Sequence, residues 1–369
     1  MTVQAQRRVP FNTLAPGVAS IRSELDTAVA RVLERGWFLQ GPELEAFELG
    51  FAAYHGPGTQ AVGVGTGTDA LRIGLQALGV GPGDDVLVTA NAGVPPVAAV
   101  VAAGGRPVFC DVDPGTHTLD PAEIERRITA TAKAVLVVHL FGQPAAMDAI
   151  VDGARRRGLQ VLEDCAQAHG ARYEGRLVGT FGNAAAFCFY PTKNLGALGD
   201  AGALLTADPR VHDRAKLLRM YGWRQRYVSE MHSTVSRMDE LQAAFLSVKL
   251  RYLDEWNAKR QRVAARYCSR LQGVVETPPK GGVFHLFVVR APERRDALKS
   301  YLSEHGVGCD IHYPLPAHLQ PPYAQYGDGA GSLPHTERLA REILSLPMYP
   351  ELADADVDYV CDVLRAHGA

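Results

Sequence analysis

A single lysine, Lys193, stands where an apolar stretch meets a run of small residues. In 187-FCFYPTKNLGALGDAGA-203 the apolar part ends at Tyr190-Pro191, and the lysine is followed by Gly196, Ala197, Gly199, Ala201 and Gly202. A bare ammonium beside tightly turning backbone is a poor packing element. Most of the other lysines fall on polar helix faces or at segment ends: Lys133, Lys216, Lys249, Lys259, Lys280 and Lys299. Lys193 is therefore a candidate for a chemical role.

Two further candidates follow predicted strands. Asp164 ends the apolar run of 161-VLEDCAQAHGA, and Gln167 comes three residues later. Gly67 and Thr68 follow the run 61-AVGVG and precede a predicted helix. Because open parallel sheets bind ligands beyond the carboxyl ends of their strands, both positions are suited to a ligand site. A helix N-terminus with small residues is in addition a phosphate site.

The same glycines match the dinucleotide-binding pattern G-x-G-x-x-A through Gly65, Gly67 and Ala70. A nicotinamide enzyme also needs an acid at the end of the next strand to hold the ribose. Here that strand ends at Ala90-Asn91, and the nearby acids Asp84 and Asp85 precede it. A nicotinamide oxidoreductase is thus the weaker alternative. A non-catalytic cofactor-binding regulator ranks last, because no basic helix suited to a nucleic-acid groove is visible.

A phosphate site, a strand-terminal carboxylate and a lone lysine are together what pyridoxal phosphate requires. The charge of Asp164 would keep the pyridine nitrogen protonated, which stabilises negative charge at the substrate carbon. Lys193 would bond covalently to the cofactor, be released by substrate and then move the proton as base and acid. Gln167 is expected at the ring hydroxyl or over the ring face. Lys193 and Asp164 are therefore predicted as the catalytic residues.

The elements that must position these residues have the pattern of an α/β fold with a mostly parallel sheet. Predicted strands lie at 61–65, 86–90, 106–112, 134–142, 159–166, 184–191 and 202–207. The helix after the first of them is expected to begin on a Thr68-Asp69 cap. One long helix over 238–273 is predicted to join a large domain (1–247) to a small α+β domain (248–369). Strands of the small domain are expected at 285–290 and 307–314.

Composition narrows the classes of function. The 369 residues are 47% hydrophobic and carry a formal net charge of -2 without a long run of one sign, so neither nucleic acid nor a membrane is an expected partner. The sequence shows no membrane-length apolar window and no signal-peptide pattern, which predicts a cytoplasmic protein. The six cysteines and the histidines are scattered, so neither a metal site nor a disulfide framework is expected.

Several ordered motifs resemble the DegT/DnrJ/EryC1/StrS family, the sugar aminotransferases of the fold-type-I pyridoxal phosphate enzymes. They are 37-WFLQGPELEAFE, 78-LGVGPGDDVLV, 108-VFCDVDP, 163-EDCAQAHGA, 187-FCFYPTKNLGALGDAGA, 236-SRMDELQAAFLSVKL and 311-IHYPLPAHLQPPY. The resemblance implies a large domain with a mostly parallel sheet flanked by helices and a smaller α+β C-terminal domain. It also implies a homodimer whose partner chain completes each active site. The implied substrates are L-glutamate as amino donor and a nucleotide-linked keto sugar as acceptor.

The lysine motif looks most like that of enzymes that aminate dTDP-linked keto-6-deoxysugars, with C3 favoured, C4 as runner-up and a cyclitol ketone more remote. A dehydratase branch of the family has histidine in place of Lys193, so the lysine favours amino transfer. The residues predicted to bind the cofactor are Gly67, Thr68, Asp164, Gln167, Cys188, Lys193 and Ser236, and all but Cys188 and Ser236 match the corresponding positions of the family. Two of the neighbouring positions depart from the family pattern, with Cys188 in place of serine and Val235 in place of asparagine. For the acceptor we predict Tyr190, Tyr221, Arg224, His312, Tyr313 and His318.

Overall fold

A computed structural model describes residues 7–367 of the chain. The strands are β1 (Gln60–Val64), β2 (Asp85–Thr89), β3 (Arg106–Cys110), β4 (Ala132–Val138), β5 (Gln160–Asp164), β6 (Arg172–Tyr173), β7 (Arg176–Leu177), β8 (Ala184–Cys188), β9 (Gly202–Thr206), β10 (Trp223–Gln225), β11 (Val228–Ser229), β12 (Phe287–Arg290) and β13 (Ile343–Leu346). Seven of them form one sheet in the order β1-β9-β8-β5-β4-β2-β3. The others form three two-stranded pairs, β6 with β7, β10 with β11 and β12 with β13.

The direction of the strands brings their carboxyl ends together. β9 runs antiparallel to both of its neighbours, β1 and β8, and the remaining neighbouring pairs of the sheet are parallel. Six strands therefore end at the same edge. The seven strands predicted for this sheet are confirmed. Their near-continuous apolar runs are what strands covered by helices on both faces require.

The helices are α1 (Ala15–Ser20), α2 (Arg22–Arg35), α3 (Pro42–His55), α4 (Gly67–Ala77), α5 (Pro95–Ala102), α6 (Ala122–Arg127), α7 (Met147–Arg156), α8 (Pro209–Leu218), α9 (Glu240–Leu250), α10 (Leu253–Leu271), α11 (Arg295–Glu304), α12 (Pro334–Glu342) and α13 (Asp354–His367). α4 packs on β8 and β9, while α9 packs between α2 and α3. Within residues 7–367, no helix has both the length and the apolar character needed to cross a membrane.

The C-terminal part of the chain has its own apolar cluster around the antiparallel pair β12 and β13. Tyr267 of α10 stacks on Phe287 of β12 inside it, with ring centroids 4.8 Å apart. Val9 belongs to the same cluster although it comes from the other end of the chain, and its N–H donates to the Gly306 oxygen at 2.9 Å. The domain boundary at 247/248 stays a prediction.

Three predicted elements are wrong in detail. The helix over 238–273 is divided into α9 and α10 at Arg251 and Tyr252, a break that no glycine or proline marks. The segment 307–314 forms only isolated bridges, at Val307 and Asp310, while the partner of β12 is the unpredicted β13. The helix expected to begin on Thr68-Asp69 begins one residue earlier and is capped by Thr66, whose hydroxyl accepts from the Asp69 N–H at 3.0 Å.

Candidate active site

The predicted catalytic residues lie at the ends of two adjacent strands. Asp164 is the last residue of β5, and Cys188 is the last residue of its parallel neighbour β8, five positions before Lys193. The pairing continues beyond the strand, since the Cys165 N–H donates to the Ala186 oxygen at 2.9 Å. Backbone hydrogen bonds thus fix where the Asp164 carboxyl lies relative to the chain that leads to Lys193.

The Asp164 carboxyl is buried, with 4% of the residue exposed. Its Oδ1 accepts from the Ala166 N–H at 3.0 Å. Burial raises the pKa of Asp164, while this hydrogen bond and then the charge of Lys193 act in the opposite direction. A buried carboxylate is stabilised by a cationic partner, so a protonated ring nitrogen beside it would be favoured.

Lys193 is held by a tight turn built from small residues. Its own N–H donates to the Tyr190 oxygen at 2.8 Å, and the Ala197 N–H donates to the Phe189 oxygen at 2.7 Å. A Cβ on Gly196 would lie 2.3 Å from the Pro191 oxygen, so this position requires glycine. Burial lowers the pKa of the Lys193 amine, opposed by Cys188 and Asp164. A larger fraction of the amine is therefore neutral and nucleophilic near neutral pH than in an exposed lysine.

The predicted phosphate site is the start of α4, which lies against the end of β8. A Cβ on Gly67 would fall 2.3 Å from the Cys188 Cβ, so the absence of a side chain lets the helix approach the strand. Thr68 is exposed at this helix start, where the first N–H groups have no intrahelical acceptor. The structure thus brings Gly67, Thr68 and Cys188 together, in an arrangement that suits a phosphate.

Ser236 reaches the same turn from the segment before α9. Its hydroxyl accepts from the Gly65 N–H at 2.9 Å and donates to Asp69 Oδ2 at 2.8 Å. Both bonds tie Ser236 to the turn between β1 and α4. In the structure, the Ser236 hydroxyl therefore helps to shape the phosphate site through its bonds to Gly65 and Asp69, and its direct bond to a cofactor stays a prediction.

Gln167 and Tyr313, predicted for the cofactor and the acceptor, are hydrogen-bonded to each other. Gln167 Oε1 accepts from the Phe141 N–H at 2.6 Å, and its Nε2 donates to the Tyr313 hydroxyl at 3.2 Å. The Tyr313 ring lies against Gly93, where a Cβ would be 3.2 Å from the ring. Burial raises the pKa of Tyr313, which therefore stays a neutral phenol.

The other residues predicted for the acceptor are spread more widely. Tyr190 is 52% exposed at the start of the Lys193 turn. His312 precedes Tyr313, stacks on Phe11 with centroids 5.6 Å apart, and places Nδ1 2.9 Å from the Ser345 hydroxyl. Tyr221 is exposed, and its ring contacts that of Trp223 at 5.1 Å.

Two of these predicted residues are already engaged by carboxylates. The Arg224 guanidinium forms ion pairs with Asp213 at 2.9 Å and Glu230 at 3.0 Å. His318 is 1% exposed, and its Nε2 lies 3.2 Å from Glu337. His318 is thus already paired inside the protein, and its contact with the acceptor stays a prediction.

Three possible metal ligands, which the sequence analysis did not identify, lie close together at the end of β5. Ligand atoms of His139, Glu163 and Cys165 all lie within 4.8 Å of one another. The Glu163 oxygens, however, accept backbone N–H groups from residues 179, 181 and 182 at 2.7 to 2.8 Å. His139 Nε2 lies 3.0 Å from the same carboxylate, and its Nδ1 accepts from Ala145 at 3.0 Å. These bonds give the cluster a structural role in holding the end of β5.

Two buried cations, Lys249 and Arg260, also lie near the site and were not predicted. Lys249 is an exception to the expectation that most of the other lysines are solvated, since the residue is only 7% exposed. The signal was present in the sequence, since 243-AAFLSV precedes it and α9 is apolar on several sides. Arg260 is 4% exposed, on α10.

The geometry fits pyridoxal phosphate. Asp164 would face the ring nitrogen, Lys193 would bond to the aldehyde carbon, and the first N–H groups of α4 would hold the phosphate. A parallel sheet that presents these three groups at one edge defines a pyridoxal phosphate enzyme of fold type I.

Comparison with known proteins agrees with this class. The sequence profile of the DegT/DnrJ/EryC1/StrS aminotransferase family matches residues 19–365. The dTDP-3-amino-3,4,6-trideoxy-alpha-D-glucose transaminase of Streptomyces venezuelae is 47% identical over 364 residues, which cover 97% of this chain and 96% of the relative. The erythromycin biosynthesis sensory transduction protein EryC1 of Saccharopolyspora erythraea is 49% identical, with 97% and 99% covered. The crystal structure of S. venezuelae DesV gives a TM-score of 0.95 at 46% identity, with 98% of both chains covered.

The chain therefore belongs to the DegT/DnrJ/EryC1/StrS aminotransferase family. Membership confirms the predicted fold class, the aminotransferase activity and pyridoxal phosphate as cofactor. It favours this function over the nicotinamide oxidoreductase and over the non-catalytic regulator.

Proposed function

We propose that the protein transfers an amino group from L-glutamate to C3 of a dTDP-linked 3-keto-6-deoxysugar. The observation that carries this proposal is 47% identity over 97% of the chain to a transaminase named for a dTDP-3-amino sugar. Relatives with names of the same kind are 41% identical in Aneurinibacillus thermoaerophilus and 42% identical in Micromonospora megalomicea. The products are 2-oxoglutarate and the 3-amino sugar, so nitrogen and electrons balance between the two substrates.

The residues of the site have separate tasks in this reaction. Pyridoxal phosphate, held by Asp164, Lys193 and the first N–H groups of α4, would supply an electron sink for the reacting carbons. The Lys193 amine would take the proton from the donor carbon and return one to the acceptor carbon. Asp164 stabilises positive charge at the ring nitrogen. Gln167 and Tyr313, joined by their hydrogen bond, line the site from the side of the acceptor.

The test separates the two half-reactions. Protein loaded with pyridoxal phosphate is treated with L-glutamate, which is then removed, and dTDP-3-keto and dTDP-4-keto 6-deoxysugars are added to separate samples. We expect the absorption of the lysine-bound cofactor to disappear with glutamate and to return only with the 3-keto sugar. Mass spectrometry of the product then locates the amine.

Return of the absorption with the 4-keto sugar alone would assign C4. Return only in a third sample, to which a cyclitol ketone is added, would assign the more remote alternative. Failure with glutamate, combined with retention of DNA by the pure protein, would overturn the proposal in favour of a regulator.

We further propose that the protein is a homodimer with its active sites at the subunit interface. Apolar side chains are exposed beside the Lys193 turn, with Trp37 at 54%, Phe38 at 50% and Leu198 at 39%. Two of them flank the first turn of α9, since the Phe38 oxygen accepts from the Glu240 N–H at 3.0 Å and the Leu198 N–H donates to Gln242 Oε1 at 2.9 Å, and Trp37 precedes Phe38 in the chain. An exposed apolar patch next to a catalytic turn supports a second copy of the chain as its cover.

Sedimentation equilibrium should give twice the chain mass of 39.8 kDa. Phe38→Glu should weaken the dimer and reduce amino transfer together, because the charge would be buried against the partner. Lys216→Ala on the exposed side of α8 is the matched control and should leave the mass unchanged. A wild-type protein that sediments as a fully active monomer would contradict this proposal.

A further inference from the structure

A cavity that opens beside Lys193 has an excess of positive charge. Its free volume is about 60 Å³, which is room for a few water molecules or one small charged group. The charged side chains that line it are Lys193, Lys249, Arg260 and Glu351. With Lys193 neutral, the remaining groups carry a net charge of about +1, and with Lys193 protonated about +2. The cavity is therefore electrostatically suited to an anion.

Lys249 enters this cavity from α9 without a carboxylate partner in the described part of the chain. Its Nζ donates to the Gly196 oxygen, in the turn that follows Lys193. Burial lowers the pKa of Lys249 to about 8, so the amine is still largely protonated at neutral pH. A buried ammonium that faces only a neutral carbonyl is costly, and a bound anion would offset that cost.

Arg260 reaches the cavity from α10 and is also incompletely paired. One guanidinium nitrogen, Nη1, donates to the oxygens of Phe284 and Met348, each at 3.2 Å, and weakly to His285 at 3.4 Å. Its Nε is buried and has no hydrogen-bond partner among the described residues. Burial lowers the pKa of Arg260 to about 10, and the charge of Glu351 opposes that shift.

We infer that Lys249 and Arg260 bind a carboxylate group of the amino donor and of the oxo acid formed from it. The inference rests on the proposed function, because the donor must bring its amino group to Lys193 and therefore carries its carboxylates into the surroundings of this lysine. The acceptor, a sugar nucleotide, has no carboxylate and carries its negative charge on a diphosphate. We therefore assign the two cations to the donor half-reaction, and dTDP, which should leave glutarate binding unchanged, tests whether the diphosphate competes for them.

The test measures binding of glutarate to the protein loaded with pyridoxal phosphate, by titration calorimetry. Glutarate has the carboxylates of the donor but no amine, so it binds without reacting, and the bound cofactor occupies the phosphate site of α4. Lys249→Gln removes the charge but keeps a donor for the Gly196 oxygen, and we expect its dissociation constant to rise at least tenfold. Glu351→Gln removes the opposing charge, and we expect the dissociation constant to fall about threefold.

The Glu351→Gln variant keeps the test decisive if Lys249→Gln folds poorly, since misfolding does not tighten binding. With Lys249→Gln we also expect KM for L-glutamate to rise while KM for the sugar stays unchanged. Dissociation constants within twofold of wild type in both variants, or no glutarate binding by the wild type, would overturn the inference. Glutarate binding that responds to both variants in a protein unable to transfer amino groups would instead overturn the proposed function.

Discussion

Lys193→Ala is expected to lower the rate of amino transfer roughly 10⁴-fold, because the variant loses the group that moves the proton in both half-reactions. It also loses the covalent bond to the cofactor. Borohydride reduction followed by peptide mass spectrometry should find the cofactor on the peptide that contains residue 193 in the wild type and nowhere in the variant. The fold should persist, since the turn is held by backbone bonds from Lys193 and Ala197.

The matched control for this prediction is Lys216→Ala, which removes an exposed lysine from α8. Its rate and its labelled peptide should be those of the wild type. If Lys193→Ala retained even a tenth of the wild-type rate, Lys193 would not be the residue that transfers the proton.

Asp164→Asn should lower kcat on the order of 10²- to 10³-fold, the cost of removing one preorganised charge from an active site. Asparagine has nearly the same shape and can keep the bond that Oδ1 accepts from the Ala166 N–H. The change therefore removes the negative charge that stabilises a protonated ring nitrogen, and little else. Single-turnover measurements with L-glutamate report this loss directly.

Glu163, which precedes Asp164 in the chain, provides the control for the Asp164→Asn variant. Glu163 lies on the other face of β5 and accepts the N–H groups of Gly179, Phe181 and Gly182. Glu163→Gln should therefore lower the free energy of unfolding in a denaturant titration and leave kcat of the folded protein close to that of the wild type. Equal losses of kcat in the two variants would show that Asp164 acts through the fold and not on the cofactor.

The sequence predicted the residues at the strand ends because each was locally anomalous. Lys193 followed an apolar strand without any polar helix face to explain it, and Asp164 ended another. Because parallel strands present their carboxyl ends at one edge of a sheet, Lys193 and Asp164 could be predicted to lie in the same site. The seven strands of the sheet could also be predicted, because each of them is a short apolar run in the sequence.

The sequence did not predict the residues whose role depends on tertiary packing. The apolar surroundings of Lys249 in the sequence indicate burial, but its contact with the Gly196 oxygen beside Lys193 depends on tertiary packing. Glu163 stands next to Asp164 in the chain, yet its partners come from residues 179 to 182. The division of α9 from α10 lacks a local breaker, and β13 is recognisable only through its partner β12.

The position of Val9 has a consequence for the order of events during synthesis. Val9 can take its place only when Gly306 and Gly308, whose backbones it bonds, have left the ribosome. About 300 residues of chain separate Val9 from these partners. Until they are made, the neighbouring Asn12, Thr13 and Leu14 are not held in the position where they line the cavity beside Lys193. The nascent sheet can therefore form before the cavity beside Lys193 does, and this cavity is completed among the last steps of assembly.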